Sequence, residues 1–109
     1  MTDQVLFHRD TTLVRRLTLE PGEAMPWHRD PYHRVSVVLR GDALLIEHLK
    51  GEGSERIVVA PGMVDWDMPY AELHRGVNVG EQTYEEVTVF FLDRPDAVPQ
   101  PGELVEGKG

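Results

Sequence analysis

The chain has 109 residues, the size of a single domain with one core. Eleven Lys and Arg against nineteen Asp and Glu give a formal charge of -8, and the densest basic cluster is Arg15-Arg16, so a phosphate backbone is repelled and nucleic-acid binding is not expected. There is no cysteine, no apolar run long enough to span a membrane and no apolar signal core in the first residues; this excludes disulfides and thiolate metal sites, and the cytoplasm is the expected location.

Gly and Pro punctuate the sequence at the spacing of an all-β sandwich or barrel. Val5-Leu6-Phe7 reads as an edge or interface strand, and residues 11–19 alternate loosely. Pro21-Gly22 is a turn that opens a new strand. Residues 33–39 (HRVSVVL) and 43–49 (ALLIEHL) are strand-like runs joined by a hairpin turn at Arg40-Gly41-Asp42. A second turn at residues 50–53 leads to RIVVA at 56–60, and Pro61-Gly62 turns the chain again. Trp66, between Asp65 and Asp67 and just before Met68-Pro69, reads as a loop residue, either a pocket lid or core. Residues 71–79 are too short for a convincing helix and carry Gly76. Residues 84–92 (YEEVTVFFL) are the strongest strand, with Val87, Val89 and Phe91 alternating against Glu86, Thr88 and Phe90. Residues 94–109 hold Pro95, Pro99, Pro101 and Gly102 and read as an extended or mobile tail on a barrel of residues 1–93. The expectation is eight or nine antiparallel strands, almost no helix, and a small barrel or double-sheet jelly roll, in which closure removes exposed edges.

Five histidines are present: His8, His28, His33, His48 and His74. His8 and His48 read as structural or exposed, and nothing in the sequence converges on His48. His28 has different company. Trp27-His28-Arg29-Asp30-Pro31-Tyr32-His33 holds two imidazoles and a carboxylate. On a strand, positions two apart share a face, so His28 and Asp30 project side by side. Two imidazoles and one carboxylate on one side of an ion form a facial triad that leaves open positions. His74 is the candidate third ligand.

The pattern around these residues resembles a small single-domain cupin of the RmlC-like superfamily. Gly22 is followed after five residues by His28-Arg29-Asp30, and Gly41 stands where the first motif closes. Pro61-Gly62, then His74-Arg75-Gly76-Val77-Asn78, resembles the second motif. The resemblance covers roughly residues 11–92. It implies an antiparallel double-stranded β-helix, one divalent transition metal (Fe, Mn, Ni or Zn), and a homodimer. Two positions depart from the family: Asp30 replaces a histidine, and Arg34 stands where a glutamate is usual, with His33 one residue earlier. An exchange of roles between Asp30 and His33 would keep three imidazoles and one acid, giving the metal set His28, Asp30, His33 and His74.

Register decides between His33 and Arg34. A regular strand through Asp30 turns Arg34 inward; a break at Pro31, which has no N–H for a ladder bond, turns His33 inward. The second arrangement is the expected one. The first would place a guanidinium beside the site and suit a carboxylate ligand. Arg34, Tyr32 and Trp66 are the candidate pocket residues. Three functions fit: a metalloprotein acting on a small polar metabolite by dioxygenation, isomerisation or decarboxylation; a non-enzymatic module that binds or senses a small carboxylate; or an assembly protein that has lost its site. The H-x-D with a distant His is also similar to 2-oxoglutarate-dependent oxygenases, but Tyr84 occupies the region where those carry a basic residue.

Overall fold

The computed structural model describes residues 1–51 and 53–93. Nine strands run in chain order: β1 (Thr2–Arg9), β2 (Thr12–Leu19), β3 (His28–Asp30), β4 (His33–Arg40), β5 (Ala43–His48), β6 (Ser54–Val58), β7 (Val64–Asp67), β8 (Tyr70–Asn78) and β9 (Tyr84–Phe91). Among the described residues there is no helix. No helix long and apolar enough to cross a membrane is therefore found there. Residues 94–109, read from the sequence as a tail, lie outside the described residues.

All strand pairs are antiparallel. They form a five-stranded sheet, β1-β2-β9-β4-β7, facing a four-stranded sheet, β3-β8-β5-β6. Two segments expected as loop or left unassigned are strands. Residues 64–67 pair with β4 through Arg34↔Asp67 and Ser36↔Asp65. Residues 70–78 pair with β5 through Leu44↔Asn78 and His48↔His74. Both gain their ladder from a distant partner, which local pattern does not reveal.

Alternation sorts the side chains. On the five-stranded sheet, Leu17, Leu19, Ser36, Val38, Tyr84, Glu86 and Thr88 face the interior. The opposing sheet contributes Leu44, Ile46 and Ile57. Leu17, Leu19, Val38, Leu44, Val59 and Tyr84 form the buried cluster, with Met25, Ile57 and Met63 packed on it. Arg34 and Val38 lie on one face of β4 four residues apart, so the cluster sits roughly 13 Å along the strand from Arg34. The apolar cluster therefore lies toward one end of the barrel and floors a cavity of ≈ 360 Å³ that runs from it to Arg34 and the histidines.

Two contacts close the core end. Gly41 has φ +135, and a Cβ there would stand 2.8 Å from Tyr84 Cδ1, so only glycine lets the β4–β5 turn approach the ring. Asn78, fully buried, donates from Nδ2 to Leu19 O and Gln82 O, each at 2.9 Å, and accepts from Gly80 N–H at 2.9 Å. One amide thus joins the end of β2, the end of β8 and the β8–β9 turn. Asn78→Ala leaves these backbone groups unpaired and should cost about 3 kcal/mol, read as a lower urea midpoint with an unchanged slope.

Candidate metal and anion site

The two histidines meet because the segments that carry them zip together. Gly22 N–H donates to Asn78 O at 2.8 Å, Asn78 N–H to Glu23 O at 2.9 Å, and Met25 N–H to Gly76 O at 2.9 Å. Strands β3 and β8 continue this pairing as His28↔His74, then shift register before Asp30↔Tyr70. Residues 22–30 and 70–78 thus lie antiparallel, and cross-strand partners share a face. His28 and His74 both turn inward, with ring centroids 4.6 Å apart. The parity argument for Asp30 holds as well: its side chain lies inside, and the residue is buried.

One ligand atom from each of His28, Asp30 and His74 falls within 4.8 Å of the others. His74 Nε2 is 2.8 Å and His28 Nε2 is 3.3 Å from Asp30 Oδ2. Both imidazoles are anchored from behind. His28 Nδ1 lies 2.8 Å from Pro26 O, and His74 Nδ1 lies 2.9 Å from Glu72 O. A carbonyl only accepts, so each Nδ1 carries hydrogen and each neutral ring turns a lone pair on Nε2 toward the carboxylate. A lone pair facing an ionised carboxylate is repulsive unless a proton or a metal cation sits between them. The donor set therefore fits a divalent ion: two imidazoles with the tautomer fixed by backbone carbonyls, and one carboxylate.

The electrostatics follow. Burial works against the Asp30 anion, but hydrogen bonds from His28 and His74 and the charge of Arg34 outweigh it, so the carboxyl sits far below the usual carboxylate range. The hydrogen bond to Asp30 raises the His28 imidazole above its ordinary value, against an opposing effect of burial.

The expected choice between His33 and Arg34 is corrected. Arg34 lines the cavity, with Nη2 3.5 Å from Asp30 Oδ2 and 3.8 Å from Asp67 Oδ2, and Nη1 donating to Met68 O at 3.4 Å. His33 faces the outside of the five-stranded sheet, where its ring lies 6.0 Å from that of Trp66 and neither ring nitrogen has a partner. The reason is topological. Pro31 and Tyr32 do not bulge one strand; they carry the chain from β3 in one sheet to β4 in the other, and this two-residue crossing preserves parity. Trp66 is corrected too: on β7 it alternates with inward Asp65 and Asp67 and stacks on Phe91 outside at 5.5 Å. Tyr32, in the crossing, does not line the cavity.

Sequence reasoning missed His48 and Tyr70. His48 is the cross-strand partner of His74, with ring centroids 6.4 Å apart. Its Nδ1 lies 3.2 Å from Tyr70 Oη, and Tyr70 meets His74 edge-on at 5.0 Å. Only the β5–β8 pairing brings these residues to the site. Burial lifts the Asp67 carboxyl above the usual carboxylate range, against the pull of Arg34.

The sign of the His28 effect is testable in chain stripped of metal with EDTA. A raised imidazole stabilises the fold below its unfolded value near ~6.5, and that contribution is lost as pH rises through the folded value. The stability gap between wild type and His28→Gln, from urea unfolding, should be wide at pH 6 and narrow by pH 9. A saturating divalent metal should reverse the trend, because protons then compete for Nε2.

No family model matches the sequence, and no curated protein matches it significantly. Solved structures do match. A cupin domain from Bordetella pertussis Tohama I superposes with a TM-score of 0.73 at 21% identity, covering 83% of this chain and 91% of that one. An RmlC-like cupin with a double-stranded β-helix fold from Methanocaldococcus jannaschii gives 0.67 at 16%, covering 86% and 81%. An oxalate oxidase in complex with the substrate analogue glycolate gives 0.58 at 24%, covering 78% of this chain and 44% of that one; this chain spans less than half its length. At such identities the likeness is one of architecture: the chain has the all-β double-stranded β-helix fold of these cupin structures.

Proposed function

We propose that the protein holds one divalent transition metal through His28, Asp30 and His74 and binds a small carboxylate beside it. The observation that carries this reading is the orientation of the two imidazoles, whose Nε2 lone pairs converge on a buried carboxylate that cannot donate to them. Arg34 supplies the second half. Two neutral imidazoles and one carboxylate would leave a divalent ion with positive charge of its own, and the guanidinium of Arg34, which also faces Asp67, stands beside it. An anionic ligand balances that charge, and the planar guanidinium suits a carboxylate. An oxalate oxidase that binds glycolate has the same architecture, which supports a carboxylate as the ligand class.

A metal bound here supplies Lewis acidity or a site for dioxygen, so dioxygenation, isomerisation or decarboxylation of the ligand is the reaction class. The chain's own residues orient the ligand and keep water out. Arg34 fixes the carboxylate at the cavity mouth. Ile46, Ile57 and Met25 form an apolar wall inside it. Tyr70 Oη, hydrogen-bonded to His48 at the rim, stands where a proton can be held or passed to solvent.

Elemental analysis of untagged protein should find close to one equivalent of transition metal. Calorimetric titration should show that Asp30→Ala weakens metal binding at least tenfold. Arg34→Ala should leave metal binding within a few-fold and abolish glycolate binding to the metal-loaded protein. Retained glycolate affinity in Arg34→Ala would overturn the anion reading. Glycolate binding in EDTA-stripped protein would favour a metal-free carboxylate-binding module instead.

The partner we propose is a second copy. Strand β1 is exposed along its whole length, with Val5, Leu6 and Phe7 55%, 42% and 57% exposed at the edge of the five-stranded sheet. An exposed edge strand of eight residues with three apolar side chains at its centre is a template for another strand. Light scattering at micromolar concentration should give about twice the chain mass, and Val5→Lys should shift it toward the monomer. A monomeric wild type would remove this proposal. The cytoplasm, a reducing compartment in keeping with the cysteine-free sequence, is the proposed location.

A further inference from the structure

Below Arg34 the wall of the cavity is polar, and its hydrogen bonds all run one way. Ser36 follows Arg34 on the same face of β4, and Thr88 is its cross-strand partner on β9. Thr88 Oγ1 donates to Glu86 Oε2 at 2.6 Å, and the Tyr84 hydroxyl donates to Glu86 Oε1. Burial, with the Glu86 carboxylate beside it, pushes the Tyr84 phenol well above its usual range, so it keeps its hydrogen and stays a donor. Ser36 Oγ and Thr88 Oγ1 are 2.9 Å apart. A hydroxyl has one hydrogen. Thr88 has given its hydrogen to Glu86, so Ser36 must donate to Thr88. The chain Ser36–Thr88–Glu86 therefore ends, on the side of Arg34, in a serine oxygen whose hydrogen is committed and whose lone pairs are open. The opposite wall offers Leu44, Ile46 and Ile57 as an apolar face, with His48 and Glu55 farther along the same strands.

From mouth to floor, one wall thus presents a charged donor and then an acceptor, carried by residues whose backbones stand about 6.7 Å apart along the strand. The complementary molecule carries a carboxylate, then a donor a few bonds away, with a hydrocarbon face turned to the other sheet. We infer that the ligand drawn to Arg34 is a hydroxylated carboxylate, whose hydroxyl group on the third or fourth carbon donates to Ser36 Oγ. This rests on the carboxylate reading above and narrows it: Arg34 gives affinity for the anion, and Ser36 selects among anions. A carboxylate lacking the hydroxyl buries the Ser36 oxygen without a donor, and this makes the discrimination strong.

The probes are butyrate, 3-hydroxybutyrate, 4-hydroxybutyrate and 4-aminobutyrate, titrated calorimetrically into metal-loaded protein. At least one hydroxy acid should bind tenfold or more tightly than butyrate. In Ser36→Ala that preference should fall below about twofold, with butyrate binding more tightly than to wild type because it no longer buries an unpaired oxygen. Equal binding of butyrate and both hydroxy acids overturns the inference and leaves the carboxylate reading standing. A preference that survives Ser36→Ala also overturns it, by removing Ser36 as the acceptor. If 4-aminobutyrate binds most tightly, the donor is an amine and the hydroxyl assignment is wrong. If none of the four binds while glycolate does, this inference falls and the carboxylate reading stands; if glycolate fails as well, both fall.

Discussion

A single carboxylate oxygen organises the mouth of the barrel. Asp30 Oδ2 receives His74, His28 and Arg34, from three strands in two sheets. A buried carboxylate is costly unless its partners are in place, and here each partner is fixed by something other than Asp30. Backbone carbonyls behind the rings hold His28 and His74, and Met68 O holds Arg34. Removing the acid would leave two inward imidazoles and a guanidinium facing one another across the cavity. On the proposed reading, a cation would take the place of protons at the same oxygen.

The barrel itself was legible in the sequence because its inner and outer residues alternate. Val87, Val89 and Phe91 mark one face of β9 without any knowledge of its neighbours, and turn residues bound most strands. His28, Asp30 and His74 were legible for the same reason: residues two apart share a face, and the spacing of the two motifs carries the family resemblance. The rest depended on pairing. His33 and Arg34 could not be assigned from local pattern, because the answer lay in whether Pro31 bends a strand or passes it to the other sheet. Trp66 looked like a loop residue because four residues of β7 are stabilised by their ladder to β4 rather than by propensity. His48 and Tyr70 looked inert because only the β5–β8 register brings them to His74.

The interior divides along its two sheets. The four-stranded sheet supplies both imidazoles and most of the apolar wall; the five-stranded sheet supplies Arg34 and the row of hydroxyls. On the proposed reading, metal binding and ligand selection would reside on different walls, and substitution on β4 or β9 would change which anion fits without touching an imidazole. This is one physical way for a single architecture to serve many ligands.

That division has a mechanical side. The apolar cluster clamps the sheets together at the core end, and near the mouth two short crossings, Pro31-Tyr32 from β3 to β4 and Met68-Pro69 from β7 to β8, tie them covalently. The mouth is thus a frame held by backbone rather than by apolar packing. A molecule of the proposed kind, bound by a metal on one sheet and by Arg34 on the other, would add a further tie between two layers whose spacing there is already fixed by the chain itself.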